Sequence, residues 1–517
     1  MLTVVNRAQM QAMDRHAIET VGIPQLVLME SAGRAVAGGA EELLESYEVD
    51  PSAVLCLAGT GNNGGDAVVA GRHLSERGYD VTLVVLGSPQ SLSEGCAAQV
   101  RLAHGVGLEV LFYEGEEAAE RVADLLEAHT LLVDGVFGTG LSRPVEGWRR
   151  AVLETVEASP LPVVAVDIPS GVDADTGQIL GEALTAELTV SFQVPKLGCL
   201  LTPGRARCGA LRVVDIGIPR ISRASVGPTA ELISEETVQA ALPPRPVDGH
   251  KGTFGHLLVV AGAPDRPGSA LLCARSAARS GAGLVTLGSD AVTIGRLAPA
   301  LLELMGTSLG EAEIEPEALS AALERKTALA LGPSLEPGER LTKLLKAVLN
   351  DCSMPVVLDA GALSTLGEDL EWLRDRPGPT VLTPHPGEAG RMLGLDTYTV
   401  QADRVRAVTT LAERSGATVV LKGATTLVAE PSGQLALCIA GGPGLATGGT
   451  GDVLTGVIGA LLAQGIEPGL AARAGVELHG RAGDRATRAL GERAVLASDV
   501  VMHLAHPEEA TDPGWPE

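Results

Sequence analysis

The sequence predicts an α/β protein of two domains, each a mostly parallel sheet wrapped by helices on both faces. Three observations predict it. Apolar residues make up 45% of the chain and aromatic residues only 2%, so Ala, Val, Leu and Gly must do the packing. That suits tightly layered parallel sheets better than an aromatic-rich sandwich. Short apolar runs alternate with helical periodicities along both halves. The 517 residues also exceed one ordinary core, so two domains of roughly 200 to 280 residues are expected.

Taken in order, Gln9 to Ala40 reads as amphipathic helices broken at Gly22 to Pro24. Ala53 to Leu57 is a short apolar strand, and Gly59 to Asp66 is a loop feeding a helix through His73. Val81 to Leu86, Leu131 to Val133, Val163 to Val166, Leu188 to Phe192 and Leu211 to Val214 read as further buried strands. Leu242-Pro243-Pro244-Arg245-Pro246 is too proline-rich for a helix or a central strand. The expected division is therefore a first domain over 1–222, a linker over 223–241, a second domain over 242–506 and an acidic, proline-containing tail over 507–517. The second half restarts with a strand at His256 to Ala261 and an Ala-rich helix at Ser269 to Ser280. Strands at Leu284 to Leu287, Ala328 to Leu331, Val356 to Leu358, Thr380 to Leu382, Thr418 to Leu421 and Thr426 to Val428 follow. No internal repeat relates the halves, so two different units are fused.

Charge and cysteine usage narrow the partners. A formal net charge of −25 opposes long-range attraction to nucleic acid or an anionic membrane, so neither partner is expected and an anionic ligand must be caught locally. Seven scattered cysteines without a CxxC pair argue for buried thiols in a reducing compartment and against a disulfide framework or a zinc site. No apolar run approaches the roughly 20 residues that span a bilayer, and Met1 to Gln11 lacks a signal-peptide core. A cytoplasmic protein is expected.

The loop Ala446-Thr447-Gly448-Gly449-Thr450-Gly451-Asp452 delivers an aspartate to the first turn of an apolar helix. Glycines let the amides of Thr450, Gly451 and Asp452 converge, and the helix's positive end adds to their attraction for an anion. An aspartate at that rim can take a proton from a substrate hydroxyl, so one loop supplies a phosphate cradle and a general base. The competing reading is a glycine-rich helix entry capped by Asp452. In the first half, Gly59-Thr60-Gly61-Asn62-Asn63-Gly64-Gly65-Asp66 occupies the place where a Rossmann-like domain binds phosphate, without matching GxGxxG. Its asparagine carbonyls suit an alkali cation or a ribose, and a self-satisfied tight turn is the alternative. Two more strands end in Asp134-Gly135-Val136-Phe137-Gly138-Thr139-Gly140-Leu141-Ser142-Arg143-Pro144 and in Asp167-Ile168-Pro169-Ser170-Gly171. Parallel topology brings these three loops to one sheet edge.

At this point a resemblance becomes specific. Asn62 to Asp66, Asp134 to Pro144, Asp167 to Gly171, Pro195-Lys196 and Gly22 to Glu30 resemble NAD(P)H-hydrate epimerases over roughly residues 1 to 220. His250-Lys251-Gly252, Leu331-Gly332-Pro333, Leu382-Thr383-Pro384-His385-Pro386-Gly387-Glu388, Leu421-Lys422-Gly423 and Gly448 to Asp452 resemble ADP-dependent NAD(P)H-hydrate dehydratases, a branch of the ribokinase-like superfamily. The order is that of bifunctional nicotinamide-nucleotide repair enzymes. The resemblance implies two three-layer α/β domains, an N-terminal Rossmann-like sheet and a C-terminal ribokinase-like sheet. It implies a cycle in which cofactors hydrated at ring carbon C6 are interconverted between R and S epimers. The S form is then dehydrated with ADP, or ATP, yielding the restored cofactor, AMP and phosphate.

The resemblance also implies roles. Asn63, Asp134 and Ser170 match the epimerases' potassium ligands, all oxygen donors. Asn62, Asn63, Gly64, Gly65 and Asp66, with Gly138, Thr139, Gly140, Leu141, Ser142, Arg143 and Pro144, would bind the hydrate's phosphates and ribose. Asp167 would contact the nicotinamide and is the candidate proton-transfer group, whereas Lys196 reads as structural or phosphate-facing. In the second half Lys422, Gly423, Ala424, Thr425 and Thr426 would hold the adenine nucleotide, with Gly451 on its phosphate and magnesium as companion. Asp452 would accept the C6 hydroxyl proton. His385, Ser269 and Ser334 match substrate-contacting positions, Lys251 is expected near the cleft entry, and His479 reads as core-facing. Ser334 stands where the dehydratases often have glycine, and Gly361 where they often have a second acid. A homo-oligomer is expected. The rival readings are a ribokinase-type small-molecule kinase for the second half and a non-catalytic nucleotide-binding module for the first.

Overall fold

The computed structural model describes residues 2–47, 53–242 and 244–504; Pro243 and the expected tail at 507–517 lie outside them. The chain forms two compact units that divide between Thr229 and Ala230.

The first unit holds β1 (Leu2–Val4), β2 (Ala53–Ala58), β3 (Asp80–Leu86), β4 (Val110–Tyr113), β5 (Leu131–Gly135), β6 (Val163–Val166), β7 (Leu188–Phe192) and β8 (Ala210–Val214). Its seven-stranded sheet runs β4-β3-β2-β5-β6-β7-β8, and every pair is parallel. Counted from β2 this is the order 3-2-1-4-5-6 extended by one strand. The strand order reverses between β2 and β5, and ligands of such sheets bind in the crevice at that switch point. The continuous apolar runs have a physical reason here: both faces of β2 are covered. Val54, Cys56 and Ala58 enter one core cluster and Leu55 and Leu57 the opposite one. Helices Arg7–Arg15, Gln25–Tyr47 and Asn62–Glu76 contribute to the first cluster, helix Gly147–Glu157 to the second. The edge strand β4 has no counterpart in the sequence reading.

The second unit holds β9 (Ala230–Leu232), β10 (His256–Val260), β11 (Leu284–Ser289), β12 (Met305–Ser308), β13 (Ala328–Leu331), β14 (Val356–Leu358), β15 (Thr380–Leu382), β16 (Thr418–Leu421), β17 (Thr426–Ala429) and β18 (Leu435–Cys438). Their order is β9-β18-β17-β16-β15-β14-β13-β10-β11-β12. The pairs β16–β17 and β17–β18 are antiparallel, and the other neighbours are parallel. Helix Thr450–Ala463 buries every residue from Val453 to Ala463, as an element apolar all round must. It packs on helix Gly268–Arg279, where Gly456 meets the Cys273 carbonyl.

Three strands, β9, β12 and β18, are absent from the sequence reading: all are short, and β9 and β12 carry polar residues. Residues 223–241, expected as a linker, carry β9 and helix Glu235–Ala241. Ile233, Val238 and Ala241 of that segment are buried in the second unit's core, so from Ala230 on it is part of that unit. Among the described residues no helix is long and apolar enough to cross a membrane.

Candidate active sites

In the first unit, the loops after β2, β5 and β6 open into a cavity of ≈730 Å³. Of the expected residues, Asn62, Asn63, Asp66, Gly138, Thr139, Gly140, Leu141, Ser142, Arg143 and Asp167 line it. Gly64, Gly65, Pro144, Asp134 and Ser170 do not. Gly64 is packed on the Gly59 carbonyl and Gly65 on the Met29 side chain, which makes them backbone spacers.

Asp134 is fully buried below the cavity. Its carboxylate accepts from the Ser170 amide at 2.8 Å, the Ser170 hydroxyl and the Val136 amide at 3.2 Å. Burial pushes its pKa up to about 6, against the opposing pull of the Ser170 hydrogen bonds. No Lys or Arg pairs with it among the described residues. Asn63 packs against Gly138, and its Nδ2 is buried without a partner.

Asp167 adopts a left-handed φ of 67° directly after β6, a conformation costing a non-glycine residue about 1 kcal/mol or more. The neighbourhood holds it there. Its amide bonds Val190 O at 2.9 Å, and Oδ1 accepts from the Phe192 amide at 2.9 Å, from Ser191 Oγ at 3.4 Å and from Lys196 Nζ. Lys196, 0% exposed, also donates to Phe192 O at 2.9 Å. The lysine is therefore the buried counter-ion of Asp167 and does not line the cavity.

In the second unit, Lys422, Asp359 and Asp452 meet at the carboxyl ends of the strands. Lys422 Nζ lies 2.8 Å from Asp359 Oδ1 and 3.5 Å from where a Cβ on Gly451 would stand. The ammonium thus sits at the amino end of helix Thr450–Ala463. Burial works against its charge, but the Asp359, Glu388 and Asp452 carboxylates hold its pKa above the usual lysine value. Asp359 also accepts from Thr383 Oγ1 at 2.9 Å and Thr455 Oγ1 at 2.8 Å.

Asp452 lies in the first turn of that helix. Burial raises its pKa to about 6, with a hydrogen bond from Ser269 and the Lys422 charge lowering it and Asp359 raising it. Ser334 Oγ donates to Ser269 Oγ at 2.8 Å, so both expected serines form a relay behind the aspartate. Ser334 has φ 57°, which is the reason glycine is the usual residue there.

His385 caps helix Pro386–Leu393: its Nδ1 accepts from the Gly387 and Glu388 amides at 3.0 and 3.2 Å. That fixes the tautomer with the proton on Nε2. The ring is half-exposed and Nε2 is 3.6 Å from Glu388 Oε1. Glu388 is buried, which raises its pKa, with Lys422 pulling it down.

The segment Lys422, Gly423, Ala424, Thr425 and Thr426 is held by the buried Arg404, whose Nη2 donates to Leu421 O, Lys422 O and Thr425 O at 3.2, 3.3 and 3.0 Å. Gly423 and Ala424 are exposed. Lys251 is exposed as well and joins none of these contacts. His479 is buried beneath Thr450, and burial pushes its pKa down to about 4, so it is a neutral core imidazole.

Sequence reasoning missed Asp359, Arg404 and Asp14. Asp359 carried a signal: it follows the apolar strand Val356–Leu358 directly, as Asp134 and Asp167 terminate or follow theirs. Arg404 and Asp14 lie on helices with nothing distinctive around them. The glycine at 361 also has its explanation here, since a Cβ would stand 2.0 Å from Leu335 O. No acid fits at that position.

Comparison with known proteins places both halves. Residues 25–198 match the family described as YjeF-related protein N-terminus, and residues 257–505 that described as NAD(P)H-hydrate dehydratase. The bifunctional NAD(P)H-hydrate repair enzyme of Moorella thermoacetica is 38% identical over 509 residues, covering 97% of this chain and 96% of that one. Its Coxiella burnetii namesake is 35% identical over 504 residues, 98% and 99% of the two chains. A solved ADP/ATP-dependent NAD(P)H-hydrate dehydratase from Bacillus subtilis, co-crystallized with ATP/Mg2+, is 34% identical with a TM-score of 0.48, covering 53% of this chain and 96% of that one. With near full-length matches of this kind and both family halves in order, the chain belongs to the bifunctional NAD(P)H-hydrate repair enzymes.

Proposed function

We propose that this chain restores hydrated NAD(P)H in two steps, the first unit epimerising the R and S hydrates and the second dehydrating the S form with ADP to give NAD(P)H, AMP and phosphate. The observation that carries the reading is Asp452, a carboxylate placed where an anion-binding helix terminus and Lys422 converge. A nucleotide β-phosphoryl held there is attracted by the helix amides and by the ammonium. Asp452 takes the proton of the C6 hydroxyl as that oxygen attacks phosphorus. A phosphorylated hydroxyl leaves far more readily than hydroxide, and the ring nitrogen's lone pair assists its departure.

The serine relay orients Asp452, and a pKa of about 6 keeps it ionised yet basic near neutral pH. The exposed Nε2–H of His385 is a donor for substrate. The Arg404-braced segment Lys422–Thr426 is the nucleotide seat. Gly361 brings no carboxylate, and magnesium would arrive on the nucleotide phosphates, as that ion commonly does.

In the first unit, Asn63, Asp134 and Ser170 would hold potassium. The fit is supported by the chemistry of Asp134, a buried carboxylate without a cationic partner, for which an alkali ion would supply the missing charge. Asp167 would accept or deliver a proton at the ring. Seven buried free thiols support a reducing, cytoplasmic setting. Exposed Val21, Leu26 and Val27 support a homo-oligomer.

The test uses chemically hydrated NADH with ADP, magnesium and potassium. The near-ultraviolet absorbance of reduced nicotinamide should return; its failure to return with active control enzyme rejects the dehydratase reading.

A further inference from the structure

Resting on the epimerase reading, we infer that Asp14 is a second proton-transfer group of the first unit, working with Asp167 on the hydroxyl at C6. Asp14 lies on helix Arg7–Arg15 and lines the same cavity as Asp66 and Asp167. Its carboxylate makes no hydrogen bond or ion pair to the described residues. Asp66 is 8% exposed and equally unpartnered, and it too lines the cavity. Two carboxyl groups without protein partners, turned to one cavity beside an ion-paired third, are arranged for a ligand.

The charges that face Asp14 are Lys196, Asp167 and Asp66. Burial and the Asp167 charge push its pKa up to about 6, with Lys196 opposing. Asp66 is raised as well, by burial and then by Asp167 and Asp14, with Lys196 opposing. Asp167 differs because Lys196 neutralises it directly. Neighbouring carboxyl groups whose surroundings differ in this way divide into acid and base. Asp167 is the ion-paired carboxylate, Asp14 the unpartnered carboxyl group that gives a proton, and Asp66 lines the cavity with them.

Inverting C6 requires its oxygen to leave one face and return to the other. Asp14 gives its proton to the C6 hydroxyl, the C6–O bond breaks and water departs. The N1 lone pair forms the N1=C6 iminium bond, whose positive charge the Asp167 carboxylate offsets. A water then adds to the opposite face of C6, the N1=C6 electron pair returns to nitrogen, and the added water's proton goes to the Asp167 carboxylate; the reverse inversion exchanges the roles of the two acids. One water leaves, one enters, and nothing is oxidised or reduced.

The experiment follows epimer interconversion by chromatography in the full-length protein without ADP, over the enzyme-free background. Asp14→Asn should slow interconversion by about 10²-fold or more, while ADP-dependent dehydration of the S form in the same preparation stays at the wild-type rate and reports an intact fold. Asp14→Glu should retain partial activity with a displaced pH profile. In H2 18O the wild type should place one labelled oxygen at C6 per inversion. Wild-type interconversion by Asp14→Asn, or inversion without label, overturns the inference. If the wild type interconverts nothing while still dehydrating the S form, the epimerase reading fails and this inference falls with it.

Discussion

Asp452 illustrates how one side chain's surroundings set its chemistry. Burial raises its pKa to about 6, so the protonated form, useless as a base, dominates below that value. Dehydration in single turnover should therefore rise with pH through about 6 and level off above it. Ser269→Ala removes a hydrogen bond that lowers the pKa and should move the rise to higher pH. Asp452→Asn should cost about 10²- to 10⁴-fold in rate while ADP affinity, measured by calorimetry, stays within about twofold. The stability consequence has a definite sign. A carboxylate whose folded pKa is above its unfolded value of 3.8 contributes stability that is fully present below about 4 and lost as pH rises through about 6. Above pH 7 the asparagine variant should melt higher than the wild type, by at most about 3 kcal/mol, and the gain should vanish near pH 4. A wild-type enzyme no less stable than the variant at pH 8 would contradict the burial argument.

At the scale of elements, strand ends and helix starts place the chemistry. Asp134 lies at the carboxyl end of β5, Asp167 and Asp359 directly follow β6 and β14, and Asp452 lies in the first turn of a helix whose entry depends on Gly449 at φ 95°. A side chain on that glycine would meet Leu272 Cδ1 at 2.7 Å. The turn after β14 is just as tightly constrained: Ala360 sits at φ 48°, and Gly361 has the Leu335 carbonyl where its Cβ would be. Gly361→Asp, which introduces the acid often found in dehydratases, should destabilise the second unit by about 1–3 kcal/mol through overpacking against backbone. Chemical denaturation checks it. A neutral effect would mean that the Leu335 segment yields easily.

For the whole molecule, two units each with its own core and site imply separable activities. With hydrated NADH as an R and S mixture, Asp134→Asn should let the S fraction be repaired at the wild-type rate, leaving the R fraction to slow spontaneous interconversion. Lys422→Met should show the converse, with epimers equilibrating and no absorbance returning. Biphasic recovery followed at the reduced-nicotinamide band distinguishes them, and a loss of both activities from either substitution would argue against independence.

Much of this was legible in the chain. Most strands that sequence reading located are buried on both faces, as β2 shows, so their apolar runs are unbroken; the expected buried strand at Leu211 to Val214 is the half-exposed edge strand β8, and β9, β12 and β18 are only three or four residues long and gave no such signal. The same holds at the sites. Glycine-rich loops and acids at strand ends are local patterns, and they pointed to Asn63, Asp134, Asp167 and Asp452. Asp359 bore the strand-end mark, in the segment whose second acid is replaced by Gly361, but without a glycine-rich phosphate loop no role could be read for it.

The α/β class, the two-unit plan and the glycine-rich, acid-bearing loops at the strand ends are legible along the chain, because each depends on periodicity or on backbone conformations that only certain residues tolerate. Tertiary structure alone decided the pairings. Lys196 became the counter-ion of Asp167, Asp359 that of Lys422, Ser334 reached Asp452 through Ser269, and Asp14 entered the cavity from a helix far away in sequence. Charge and hydrogen bonding act through distance in space, which spacing along the chain does not encode.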